Sequence, residues 1–230
     1  NKIVLDSNKS DLLDPSVILE LERSRLKFTE TRYPFGKMVV NPGSLSSDFT
    51  LAIEKSIPFF KFGERHLDLW CGAGRIGLSA LHLGSEVDFV ARDNGDLEST
   101  SSNIANLFPQ SNSKVLSAVV DCYGLYDSVS LVPPYQEGDV RGFGLFDSVG
   151  FPLTKRSLEE ARKVVKPSGL VQVLLRDLQL MKVVVAACSE LGMKLVDLAI
   201  VDHRLNENRT VALASLVPGC SVKKTSQKVA

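Results

Sequence analysis

No apolar run in this 230-residue sequence reaches the ~18 residues needed to cross a bilayer, which argues against a helical membrane span. Cysteine is scarce too. Cys71, Cys122, Cys188 and Cys220 form no CxxC pair and share no metal-ligand spacing with the three histidines. That argues against a disulfide framework and a metal site, and suggests reduced, mostly buried thiols of a cytoplasmic protein. An excess of either charge is also missing, because Lys+Arg and Asp+Glu both number 27. With no global positive field, any nucleic-acid partner has to be held by a local basic patch. The chain begins Asn-Lys-Ile with no signal-peptide pattern, and it contains no internal repeat. What remains is an ordinary soluble composition, 44% hydrophobic and 23% charged, enough to bury one sizeable core.

Three regions separate by pattern. Residues 1–60 lack regular strand–helix alternation. They read as an N-terminal extension with an amphipathic helix over Ser16–Leu26, a short strand near Tyr33–Gly43 and a helix from Phe49 to about Ser56, folded over one edge of a larger domain. Residues 61–217 alternate. Strands are expected at His66–Trp70, Glu86–Ala91, Val115–Val120, Ser128–Val132 and Leu170–Leu175. Helices are expected at Ile76–Leu83, Asp96–Leu107, Ser157–Val165 and Leu178–Leu191, the third stopped by Lys166-Pro167-Ser168-Gly169. Such alternation predicts a three-layer α/β fold around a mostly parallel sheet. Lys194–Val201 and Thr210–Leu216 lie too close for a helical crossover and should close the sheet as an antiparallel hairpin. Residues 218–230 form a polar tail.

The strongest chemical signal is the glycine loop after the first strand, Asp68-Leu69-Trp70-Cys71-Gly72-Ala73-Gly74-Arg75-Ile76-Gly77. Glycines here let a ligand approach the backbone closely, and the following helix presents free N–H groups. Gly72-x-Gly74-x-x-Gly77 also fits a dinucleotide fingerprint, so the glycines leave an NAD-dependent reading open. Asp68 leans the other way, since a carboxylate at the end of the first strand suits a cationic ammonium group and repels a pyrophosphate. Asp93 closes the second strand, where it can take two ribose hydroxyls, and Asp121 ends the third, where it can accept from an adenine amino group. Three acids at three successive strand ends match a nucleoside with an amino-acid tail.

This loop resembles motif I of class I, Rossmann-like S-adenosylmethionine (SAM)-dependent methyltransferases, and the terminal hairpin is similar to that family's last two strands. The resemblance covers about residues 64–216. It implies that Asp68, Gly72 and Gly74 line the methionine end of SAM, Asp93 the ribose, and Asp121 with Cys122 the adenine. Trp70, Cys71 and Asn94 complete the implied cofactor-binding set. Trp70 also reads as core packing beneath the loop, and Cys71 as a small residue with no histidine base beside it.

Val132-Pro133-Pro134-Tyr135 resembles the Asn/Asp-Pro-Pro-Tyr/Phe motif of amino-group methyltransferases, in which the prolines stiffen a strand-ending turn and the aromatic stacks on the acceptor. Val132 departs from the pattern and removes one hydrogen-bond acceptor. Either another residue supplies it, or the target is not an amide or exocyclic amine, or methyl transfer is weak or lost; the last keeps open a non-catalytic binding module. A rival fourth strand lies at Leu145–Pro152. If the earlier segment is the strand, Gln136–Gly144 becomes a loop over the acceptor pocket, with Arg141 and Phe143 as contacts. The segment Phe35–Asp48 is similar to the one before motif I in ribosomal RNA guanine-N2 methyltransferases, so the leading expectation is methyl transfer to a nitrogen of an RNA base. A protein side chain or a small molecule stands second. His66 and His82 read as structural. His203, Arg204 and Arg209 fall in the hairpin loop, and Lys155, Arg156, Arg162 and Lys163 on a solvated helix face.

Overall fold

The computed structural model describes Met38 and residues 47–119, 124–133, 152–175, 179–204 and 209–219. A seven-stranded sheet runs through the molecule in the order β3-β2-β1-β4-β5-β7-β6. Its strands are β1 (Arg65–Leu69), β2 (Glu86–Val90), β3 (Val115–Leu116), β4 (Tyr126–Leu131), β5 (Val165–Leu175), β6 (Met193–Arg204) and β7 (Arg209–Pro218). β1 to β5 pair in parallel, whereas β7 runs antiparallel to both β5 and β6. The helices are α1 (Ser47–Ser56), α2 (Arg75–His82), α3 (Asn94–Leu107), α4 (Pro152–Val164) and α5 (Gln179–Leu191). This is the expected three-layer sheet with its closing hairpin. The fourth strand is Tyr126–Leu131, as preferred over the rival placement, which lies mostly outside the described residues. Among the described residues no helix is long and apolar enough to cross a membrane.

Side-chain alternation splits the sheet into two unlike faces. Leu67 and Leu69 of β1, Val129 and Leu131 of β4, Val171 and Val173 of β5, and Ala214 and Leu216 of β7 point one way. They pack on Leu158, Ala161, Met181 and Val184 of α4 and α5 in one apolar cluster. The opposite face carries His66 and Asp68, then Ser128 and Ser130, then Gln172, then Ser215, all buried. α1 covers this face beyond β4. Ala52 and Ile53 join Phe60, Leu174, Val201, Val211 and Leu213 in a second cluster. Its backbone continues through a 3-10 turn (Ile57–Phe59) into a strap that runs to β1. The strap docks on side chains rather than a strand ladder. Lys61 N donates to Gln172 Oε1 (2.6 Å), Gln172 Nε2 donates to Phe59 O (3.4 Å), and Gly63 N donates to Ser128 Oγ (2.7 Å).

Three local expectations change. Lys166-Pro167-Ser168-Gly169 is no helix-stopping turn outside the sheet. It lies within β5, where the register with β4 jumps from Tyr126↔Val165 to Ser128↔Leu170, so the extra residues form a bulge. The hairpin strands are longer than expected, with His203 paired to Thr210 and Arg204 to Arg209, so these three basic residues sit on strands rather than in the loop. β3 spans only Val115–Leu116. The expected helix at 16–26, the strand at 33–43 and the polar tail lie essentially outside the described residues.

Candidate functional site

The loop between β1 and α2 turns back through left-handed backbone. Trp70 has φ 60°, Gly72 56° and Gly74 81°. Glycine takes that conformation freely; for tryptophan it costs about 1 kcal/mol or more. The loop is held from behind. Cys71 N donates to Val90 O (3.0 Å) and Gly74 N to Cys71 O (2.8 Å). Two side chains of α3 take its carbonyls, Thr100 Oγ1 donating to Gly72 O (2.7 Å) and Asn103 Nδ2 to Ala73 O (2.9 Å). A Cβ built on Gly72 would meet nothing within 4 Å, so the loop opens outward at that point. A Cβ on Gly77 would collide with the Phe89 ring, so here α2 packs its backbone directly on β2.

Asp68 lies beneath the loop and is 2% exposed. Its Oδ2 accepts from Gly77 N and its Oδ1 from Ser130 Oγ, both at 2.8 Å. Burial drives its pKa up to about 7, against the downward pull of those two hydrogen bonds. His66, two residues earlier on the same face, contacts Ser128 Oγ through Nδ1 (2.8 Å) and Ser130 Oγ through Nε2 (3.0 Å). Its burial pushes the imidazole down to about 3, so the ring is neutral. Phe62 of the strap meets it edge-on at 5.0 Å. Cys71 is half-buried, and its thiol is raised well above the usual value by burial and by the charge of Asp68, which leaves it a poor nucleophile.

Asp93 follows β2 and caps α3, its Oδ1 accepting from Asp96 N (2.9 Å). Its side chain is 30% exposed, so a carboxylate oxygen reaches the rim, with Arg92 Nε 3.5 Å from Oδ2. Asn94 is the exposed first residue of α3. Asp96 is buried beside Arg92 Nη2 (3.2 Å), and burial raises its pKa. β1 and β2 are paired neighbours, so Asp68 and Asp93 come to adjacent strand ends, one enclosed and one open. Asp121 and Cys122 lie outside the described residues, as do Pro134, Tyr135, Arg141 and Phe143. Val132 and Pro133 continue from β4, and Val132 is partly buried against the apolar cluster of α1 and the strap.

Thr100, Asn103, His66, Ser128 and Ser130 were not anticipated as site residues. A signal for the first two exists in the sequence. α3 is amphipathic in reverse, burying Asp96, Ser99, Thr100 and Asn103, and a helix that turns polar side chains inward needs polar partners there. Ser128 and Ser130 alternate with Val129 and Leu131, which marks a polar face, but the residues they meet depend on strand order.

No protein-family profile and no curated protein matches the chain. Solved structures do. A precorrin-6y C5,15-methyltransferase of Geobacter metallireducens shares 12% identity over 79% of this chain and 94% of that one, with a TM-score of 0.55. A ribosomal protein L11 methylase of Lactobacillus delbrueckii shares 14% over 78% and 84%, TM-score 0.54. A candidate RNA methyltransferase of Pyrococcus horikoshii shares 16% over 90% and 99%, TM-score 0.55. At such low identity the likeness establishes the fold: this chain has the Rossmann-like α/β fold of those structures.

Proposed function

We propose that the chain is a SAM-dependent methyltransferase, with a nitrogen of an RNA base as acceptor. The observation that carries the cofactor assignment is the pairing, at adjacent strand ends, of an outward-open glycine loop with the partly exposed carboxylate of Asp93. The loop also has a donor to offer: Trp70 Nε1 is buried and has no acceptor among the described residues. A buried N–H without a partner is costly, and an acceptor on a bound ligand would relieve it. These features fit SAM. Gly72 and Gly74 would pass the methionine end, with Trp70 and Cys71 beside them. Asp93, flanked by Asn94, would take the ribose hydroxyls, and Asp121 with Cys122 the adenine. Asp68 would act on the ammonium as a charge behind the loop, since both its oxygens already accept.

SAM supplies an already activated methyl group, so the protein's part is to align the acceptor. Pro133, Pro134 and Tyr135 would supply a stiff turn, backbone carbonyls and a stacking ring. The RNA reading rests on the resemblance of this turn to amino-group methyltransferases and of Phe35–Asp48 to ribosomal RNA guanine-N2 methyltransferases. It has further support from the candidate RNA methyltransferase among the structural neighbours.

Val132 favours a second reading, a SAM-fold module that binds RNA or a protein without turnover. Its side chain packs on the strap's apolar cluster and offers no acceptor. Incubation with radiolabelled SAM and separate RNA, protein and metabolite fractions decides between the two. Label in RNA is expected. Label in protein or metabolite fractions alone would overturn the RNA assignment, and no label despite measured SAM binding would establish the module.

A further inference from the structure

The buried polar groups on the face of β1 and β4 form one continuous chain: Gly63 N, Ser128 Oγ, His66 Nδ1, His66 Nε2, Ser130 Oγ, Asp68 Oδ1, with Gly77 N on Asp68 Oδ2. Each link is 2.7–3.0 Å. Each serine carries one hydrogen and a neutral imidazole carries one, so hydrogens along the chain must all point the same way. We propose that His66, Ser128 and Ser130 are positioning residues forming a reversible hydrogen-bond relay, which runs toward Asp68 when that carboxylate is ionised and away from it when it is protonated.

With Asp68 ionised, Gly63 N–H donates to Ser128, Ser128 O–H to Nδ1, Nε2–H to Ser130, and Ser130 O–H to the carboxylate. Every donor and acceptor is used. A proton on Asp68 makes that oxygen a donor to Ser130. Ser130 then turns its hydrogen to Nε2, and the imidazole must carry its own on Nδ1. Ser128 now receives both Nδ1–H and Gly63 N–H, and its hydroxyl hydrogen is left without an acceptor along the chain. The imidazole exchanges tautomers without changing charge. One end of the relay is the backbone of the strap and the other the first turn of α2, so the ionisation of Asp68 is read at both.

Burial places the Asp68 transition near neutral pH while keeping His66 uncharged throughout. The titratable neighbours do not mimic the signal. Cys71, on the loop side, stays a thiol. Asp96, on α3, acts on Cys71. Arg75 is the first residue of α2. β4 presents only hydroxyls here, the strap presents Phe62, and β2 pairs Phe89 with Asp68.

The relay itself needs no ligand; its consequence for binding rests on the SAM reading. The test is the nitrogen-15 spectrum of the His66 ring in the full chain, assigned with His66→Gln, at pH 5.5 and 8.5, with and without S-adenosylhomocysteine. The Nδ1–H form is expected at the lower pH and Nε2–H at the higher, with no imidazolium at either. Ser130→Ala should make the tautomer independent of pH, and Ser130→Thr should restore the switch. If Ser130→Ala does not fold, Ser128→Ala is used; it should shift the transition without abolishing it. The ligand should pull the equilibrium toward Nε2–H, its affinity rising about tenfold per pH unit below the Asp68 transition. A tautomer that never changes, or an imidazolium signal near pH 6, overturns the relay whatever the ligand does. An intact switch with no ligand binding overturns the cofactor reading and leaves the relay standing.

Discussion

At the scale of single residues, His66 and Asp68 balance each other's protons. His66 titrates near 6.5 when unfolded and near 3 when folded, so alone it would cost stability as pH falls through that window. Asp68 titrates near 3.8 unfolded and near 7 folded, so alone it would cost stability as pH rises through its window. Between pH 4 and 6.5 the folded pair holds one proton, on Asp68, and the unfolded pair also holds one, on His66. The two slopes cancel. Asp68→Asn uncovers the histidine term, and its unfolding free energy should fall relative to wild type by up to about 1.4 kcal/mol per pH unit from pH 6 down to 4. Urea unfolding at several pH values measures this; parallel curves for the two proteins would show that Asp68 is not held protonated, and a flat curve for Asp68→Asn would show that His66 is not held neutral. His66 reads as structural in the sequence, and the fold buries it in a hydrogen-bond network. Its role in the network was invisible because its partners are more than 60 residues away.

At the scale of elements, the β1–loop–α2 unit shows how closely glycine positions are used. Gly72 faces open space, whereas Gly77 sits against Phe89, which is fully buried in β2. Gly77→Ala should push α2 off the sheet and cost about 1–3 kcal/mol by overpacking. Combining it with Phe89→Leu should recover part of the loss, and thermal denaturation of the single and double variants measures the coupling. A double variant less stable than the sum of the singles would disprove the contact. The spacing Gly72-x-Gly74-x-x-Gly77 was plain in the sequence. That its third glycine answers to an aromatic ring on the next strand was not, because that depends on the parallel register of β1 and β2.

For the whole molecule, binding to the folded state alone raises the melting temperature. S-adenosylhomocysteine should do so and NADH should not, which separates the methyltransferase reading from the dinucleotide one. Asp93→Ala, at a partly exposed cap whose loss costs about 1 kcal/mol of stability, should abolish most of the ligand-induced shift. An undiminished shift in that variant would remove Asp93 from the site. The strap and α1 matter at this scale too, since they seal the half-polar face of the sheet through Gln172 and Ser128 and bring Val132 into their apolar cluster.

Periodicity and punctuation along the chain were enough to determine the alternating α/β layers, the closing hairpin, the glycine loop and the acids at its strand ends. These follow from local rules: alternation in strands, helical spacing, glycine where the backbone must turn. Tertiary structure alone decided which carboxylate would be enclosed and which left open. Asp68 and Asp93 look alike in sequence, yet one is roofed by α2 and hydrogen-bonded by Ser130 while the other caps a helix at the rim. It also decided that a buried histidine would connect the strap to the loop. Burial and long-range hydrogen bonding depend on which strands become neighbours, and the order β2-β1-β4 is set only when the sheet assembles.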